Sequence, residues 1–231
     1  LTLKDEIAAY SAASFADAWS TRDGKKVPVP GDIGAGNDGV WLDAAILYAD
    51  LNDSTGLVSS QSHKFAAEVY KSYTYMCARI ISKNGTVSAY DGDRVMGVFI
   101  GDTKCTNAIK AAQEINYARR KLIQPALNSV YGSTKYTIEH TVGVDTSKVL
   151  VANAGVRGNN DFVWVGIAAN RAAKLSSLKR STKWDLYVTD SAHRVAMDSA
   201  KVSSTGQDMW TDLGTADIGV KIWGSDWGRT I

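Results

Sequence analysis

The chain has 231 residues, a formal net charge of +2 and 45% apolar residues, which is the size and make-up of one large globular domain. So small a charge gives no reason to expect DNA or RNA as a partner. No apolar run reaches the ~18 residues of a membrane span, and no basic-plus-apolar leader opens the chain, so a soluble cytoplasmic protein with no membrane contact is the default expectation.

In chain order, residues 3–20 read as a helix, with Leu3, Ile7, Ala8, Phe15 and Trp19 near helical spacing. Residues 21–40 carry Val-Pro-Val-Pro and a run of glycines and read as an ordered connector rather than a phosphate loop. A buried strand is expected over 40–50. A long helix then opens at Ser54 or Thr55 and runs to about residue 83, with Leu57, Phe65, Val69 and Met76 inward. The turn Asn84-Gly85 leads into a strand pair over 86–90 and 94–100. A second long helix, 103–131, shows a polar face of Lys104, Lys110, Glu114, Arg119 and Arg120. Strands are expected over 136–144 and 148–153, joined at Asp145-Thr146-Ser147, and over 162–165. A helix over 166–180, a strand over 184–189, a short helix over 192–201 and a last strand over 217–223 complete the chain. Elements that alternate without a strict βαβ repeat point to an α+β fold with a mixed or antiparallel sheet. Residues 1–40 form an N-terminal helix and connector, 41–190 a core, and 191–231 a Trp-rich tail of the same domain. Cys77 and Cys105 lack partner spacing and read as reduced and buried. His63, His140 and His193 have no ligand spacing and receive no role.

Two acidic segments carry the chemistry. In residues 45–55 an apolar run ends at Asp50 and is followed at once by a helix start at Ser54-Thr55. In residues 90–99 the turn Gly92-Asp93 leads into another apolar run. Two strands that each present a carboxylate at a turn can share a divalent cation. Hard cations such as Mg²⁺ accept few carboxylates and complete their shell with water and substrate phosphates. That suggests chemistry on a nucleoside triphosphate, with two divalent cations (Mn²⁺ or Mg²⁺) flanking the reacting phosphorus.

Four segments in order resemble the catalytic domain of class III adenylate and guanylate cyclases. Tyr48-Ala49-Asp50-Leu51-Asn52-Asp53-Ser54-Thr55 is similar to Phe-x-Asp-Ile-x-Gly-Phe-Thr, and Gly92-Asp93-Arg94-Val95-Met96-Gly97-Val98-Phe99 to Gly-Asp-x-hydrophobic-Met-x-x-Phe. Val142-Gly143-Val144-Asp145, with residues 149–155, resembles the glycine-rich strand pair, and residues 165–175 resemble Ile-Gly-x-x-Val-Asn-x-Ala-x-Arg-Leu. The resemblance implies a ferredoxin-like palm with a βαββαβ core, and a head-to-tail homodimer with composite sites. One subunit would give the metal ligands Asp50, Asp93 and the Leu51 carbonyl; the other would give the base pocket, Asn170 and the residue at 174. The amides of Asn52, Asp53, Ser54 and Thr55 would hold the triphosphate at a helix N-terminus.

The departures narrow the reading. The purine-reading Lys and Asp or Thr of the family fall on Ala89 and Val163, and the transition-state Arg falls on Lys174. Lys174 keeps the charge but loses the planar fork that grips phosphate oxygens. Tyr48 replaces the usual Phe two residues before Asp50 and should share its face of the strand. This combination is similar to the pyrimidine cyclases of the bacterial Pycsar antiphage defence. It implies conversion of UTP to 3′,5′-cyclic UMP, with CTP the alternative, and a separate effector activated by the cyclic nucleotide. An ordinary adenylate or guanylate cyclase and a catalytically degenerate nucleotide-binding module are the competing expectations.

Overall fold

The structure, a computed structural model, describes residues 2–133, 135–156, 159–178 and 183–231. Strand β2 (Asp38–Leu51) is its axis. Val40, Leu42, Ala44 and Ile46 pack into one apolar layer, and Ala45, Leu47, Ala49 and Leu51 into another. A strand covered on both faces reads as an unbroken apolar run, which is why 40–50 was legible. On one side of β2 lies β4 (Arg94–Ile100), then β3 (Thr86–Asp91); on the other lies β5 (His140–Val156). All three of these pairings are antiparallel. With the helices between them, the order β3-β4-β2-β5 is the βαββαβ palm that the resemblance implied.

The sheet continues from β5 into β7 (Leu186–Thr189), β9 (Lys221–Ser225) and β8 (Thr211–Thr215), with β6 (Asn159–Val165) paired to β5 and β1 (Ser20–Asp23) paired to β2. The β5–β7 and β1–β2 pairs are parallel, so the sheet is mixed. The tail thus belongs to the same sheet, and Trp210 is buried in the main core with Trp223 and Trp227 against it. Cys77 and Cys105 are free and buried, as expected.

Several elements differ from the sequence reading. Helix α1 (Leu3–Ala16) ends early and buries no residue; Phe15 is 90% exposed, so its apolar spacing marks no inner face. The helix after Asp50 is two helices, α2 (Ser54–Ser60) and α3 (His63–Ile81), because Ser62 caps α3 through the Phe65 amide. Leu57, Phe65, Val69 and Met76 are buried as expected. Helix α4 (Lys104–Ala118) passes through a π turn (Arg119–Ile123) into α5 (Gln124–Tyr131). Arg119, expected on the polar face, is 6% exposed and donates to the Asp185 carboxylate at 2.6 Å. The strands expected over 136–144 and 148–153 are one strand, β5, and the region before His140 is not strand. The polar stretch Asp145-Thr146-Ser147 stays in the ladder because the Thr189 and Ser191 hydroxyls and the Thr146 amide all donate to Oδ1 of the buried Asp145, with Arg171 Nη1 3.9 Å from its Oδ2. Strands β1 and β8 were not anticipated. Helix α6 (Ile167–Ser176) is shorter than the expected 166–180; part of that range, residues 179 and 180, lies outside the described residues. The short helix expected over 192–201 is α7 (Asp190–Val195) followed by a 3₁₀ turn.

Candidate active site

Strand β2 delivers Asp50 at its end, and the β3–β4 hairpin delivers Asp93 from a two-residue turn. Asp50 pairs in register with Arg94 on one side and Thr141 on the other. Gly92, with φ 61°, takes the first central position of the hairpin, where a side chain would be strained. The hairpin therefore folds Asp93 back toward the strand that carries Asp50. Burial pushes the Asp50 carboxyl up to about 6, and the negative charges of Asp93 and Asp91 add to this, while Arg94 opposes it. Arg94 Nε stands 3.5 Å from Asp50 Oδ2. Asp93 Oδ2 is buried and has no hydrogen-bond partner among the described residues.

A buried acid whose pKa is raised by burial and by its acidic neighbours, beside a second acid with a buried oxygen left unsatisfied, fits a divalent cation. Among the described residues no group of three or more His, Cys, Asp or Glu is placed to hold a metal. Two carboxylates plus the carbonyl of Leu51, in register with His140, match a hard cation that takes its remaining ligands from water and phosphate.

The turn after Asp50 is held firmly. Asp53 adopts the left-handed conformation (φ 54°, ψ 40°), and its carboxylate caps α2 by accepting from the Gly56 amide at 3.2 Å. A Cβ at Gly56 would sit 2.2 Å from Asp53 Oδ2, so glycine is required beneath this cap. The Asn52 amide donates to the Glu139 carbonyl at 2.9 Å, so it is not free for a phosphate, contrary to expectation. Its Oδ1 accepts from Thr141, and its Nδ2 is buried with no hydrogen-bond partner among the described residues. The amides of Asp53, Ser54 and Thr55 make no bond to the chain among the described residues.

Tyr48 lies two residues before Asp50 on the same face and packs, half-buried, on the layer that holds Met96 and Ala89. In register Ala89 pairs with Met96 and Met96 with Tyr48, so these three form one line across the sheet. Burial raises the Tyr48 pKa, which keeps its hydroxyl neutral. Val163 lies elsewhere. It pairs with Ala152, which pairs with Gly39 at the far end of β2, and it is exposed. One chain therefore does not bring Val163 into line with Tyr48.

Helix α6 buries Ala168, Ala169, Ala172 and Leu175 and presents Asn170 and Lys174, one turn apart, to solvent. It crosses β5 at Gly143, where a Cβ would lie 2.3 Å from the Ala172 carbonyl oxygen. Lys174 shares a cleft of about 500 Å³ with Arg94, Ala173 and Ser177. Asn170 does not line it. Sequence reasoning gave Arg94 no role, because its approach to Asp50 is made across the β2–β4 pairing and leaves no local signal.

No family model matches the sequence. Two curated relatives match nearly end to end. The chain is 44% identical over 210 residues to a uridylate cyclase of Xanthomonas perforans, covering 90% of this chain and 89% of that protein. It is 37% identical over 235 residues to a uridylate cyclase of Burkholderia cepacia, covering all of both. Among solved structures, a bacterial light-regulated adenylyl cyclase superposes with a TM-score of 0.70 at 19% identity, over 84% of this chain and 54% of that longer one. The adenylyl cyclase CyaB from P. aeruginosa superposes with a TM-score of 0.68 at 18% identity, over 83% and 97%. These structures share the fold of this chain.

Proposed function

The chain belongs to the uridylate cyclase family and is a nucleotide cyclase, and from that premise we propose that it converts UTP to 3′,5′-cyclic UMP and pyrophosphate. The supporting observation is the meeting of Asp50 and Asp93 beside Tyr48. The acids supply a cation site next to a wall that carries an aromatic ring where larger bases would need room. Two divalent cations held there would lower the pKa of the ribose 3′-hydroxyl and offset charge on the phosphates. The chain's own groups do the positioning. The amides of Asp53, Ser54 and Thr55 face the triphosphate, Asn170 orients the ribose, and Lys174 neutralises charge that develops at the α-phosphate. The 3′-oxygen forms a bond to the α-phosphorus, the bond to the β-phosphate oxygen breaks, and the hydroxyl proton passes to water or a phosphate oxygen.

Base choice is assigned to Tyr48. Ala89 and Val163 offer no polar edge to a purine, and Tyr48 occupies the space that its second ring would fill. Tyr48→Ala should lower UTP turnover about tenfold or more and relax discrimination against ATP and GTP, and Tyr48→Phe separates bulk from hydrogen bonding. Unchanged rate and unchanged preference in Tyr48→Ala would remove Tyr48 from base choice. The preference for UTP over CTP rests on the curated relatives.

Two wider readings accompany this. A second copy of the chain completes the site by bringing its Asn170, Lys174, Ala89 and Val163 against Asp50 and Asp93. The product serves as a second messenger in antiphage defence through a separate effector; this rests on the sequence resemblance. Cells carrying the system with Asp50→Ala should lose protection against phage that the unaltered gene provides.

A further inference from the structure

The planar fork missing at position 174 has a counterpart on another element. Arg94 follows Asp93 directly and stands opposite Asp50 in register. Its Nε is 3.5 Å from Asp50 Oδ2, yet is buried and makes no hydrogen bond among the described residues. Its Cζ lies 5.8 Å from the centre of the Tyr48 ring, so the guanidinium sits between the carboxylate of the cation site and the aromatic wall. It also lines an open cleft of about 500 Å³. An arginine in this position is anchored by charge but not by matched hydrogen bonds, so its donors remain available to a ligand. Arg is the side chain whose donors match phosphate oxygens in pairs, whereas Lys acts as a point charge.

We propose that Arg94 is a catalytic residue: its guanidinium grips the oxygens of the reacting polyphosphate and adds, from β4, the paired donors that Lys174, a point charge, does not give. This assignment rests on the nucleotide cyclase reading. A cation between Asp50 and Asp93 supplies the positive charge that Arg94 gives these acids in its absence. The guanidinium is then free to turn toward substrate. Arg94 takes no proton and forms no bond; charge accumulates on the α-phosphate oxygens as the 3′-oxygen attacks, and Arg94 offsets it. Interactions made in the transition state lower kcat when they are lost, while KM changes little.

The test is steady-state kinetics of Arg94→Lys, Arg94→Ala and the double variant Arg94→Ala/Lys174→Arg, with thermal denaturation to confirm folding. Arg94→Lys keeps the charge beside Asp50 and removes only the fork. It should lower kcat about 10²-fold with KM within about threefold, in line with the loss of one oriented donor group. Guanidinium ion at millimolar concentration should restore part of the rate of Arg94→Ala, and the double variant should exceed Arg94→Ala by at least tenfold. A kcat for Arg94→Lys within threefold of the unaltered enzyme overturns the assignment. So does a loss confined to KM, or a loss matched by unfolding in every variant with no rescue. An unaltered protein that makes no cyclic nucleotide from any ribonucleoside triphosphate would instead overturn the cyclase reading, and this assignment with it.

Discussion

At the scale of single residues, Asp50 sets a conflict between stability and chemistry. Its folded pKa, pushed up to about 6 first by burial and then by Asp93 and Asp91, exceeds that of an unfolded aspartate near 4. The folded chain therefore holds a proton that the unfolded chain releases between about pH 4 and pH 6. Without metal, stability should fall across that window as pH rises. Asp50→Asn should abolish turnover, flatten this slope, and raise the metal-free Tm at neutral pH, an effect on the order of 1–3 kcal/mol. Mn²⁺ should raise the Tm of the unaltered protein and not that of the variant. A variant with a lower Tm at neutral pH and near-normal turnover would remove Asp50 from the cation site. The positions of Asp50, Asp93 and Tyr48 in the fold were legible in the sequence because each follows a local pattern: a strand end, a Gly-Asp turn, a two-residue alternation. Arg94 was not, since its approach to Asp50 is made across two strands. The engagement of the Asn52 amide with Glu139 was hidden for the same reason.

At the scale of elements, the placement of α6 on β5 decides where Asn170 and Lys174 stand. Gly143 permits this closeness, for any Cβ there would strike the Ala172 carbonyl and the Leu175 side chain. Gly143→Ala should therefore lift the C-terminal half of α6, cost on the order of 1–3 kcal/mol in stability, and reduce turnover more than tenfold. A variant with unaltered Tm and rate would show that the helix does not depend on this contact. The core strands and helices were readable because their apolar runs and helical spacing are local. Boundaries failed where polar residues are satisfied by distant partners. Asp145 stays in the middle of β5 because hydroxyls from Thr189 and Ser191 reach it. Arg119 is buried because it meets Asp185 and the Ile138 carbonyl. Helix α1 shows the converse: its apolar spacing was correct for a helix, but none of its residues is buried by the described residues.

At the scale of the whole molecule, one chain keeps apart the residues assigned to the proposed site. Asp50 and Asp93 lie at one end of β2 and Val163 in register with the other. Val163, Val165 and Ile167 are 42%, 58% and 53% exposed, an uncovered apolar strip beside the start of α6. The composite-site proposal puts a second copy there. Mixing inactive Asp50→Ala with inactive Asn170→Ala should then restore activity, because each mixed dimer regains one intact site. Mixtures that exchange subunits and stay inactive would contradict that assembly. The measurement that bears most directly on the account is a competition. Equal concentrations of UTP, CTP, ATP and GTP are incubated with the protein and Mn²⁺, beside the Asp93→Ala variant, and the products are identified by mass spectrometry. The account predicts 3′,5′-cyclic UMP as the dominant product, with an equal amount of pyrophosphate, and no cyclic nucleotide from the variant. Cyclic AMP or cyclic GMP as the main product, no cyclic product at all, or unchanged output from Asp93→Ala would contradict it.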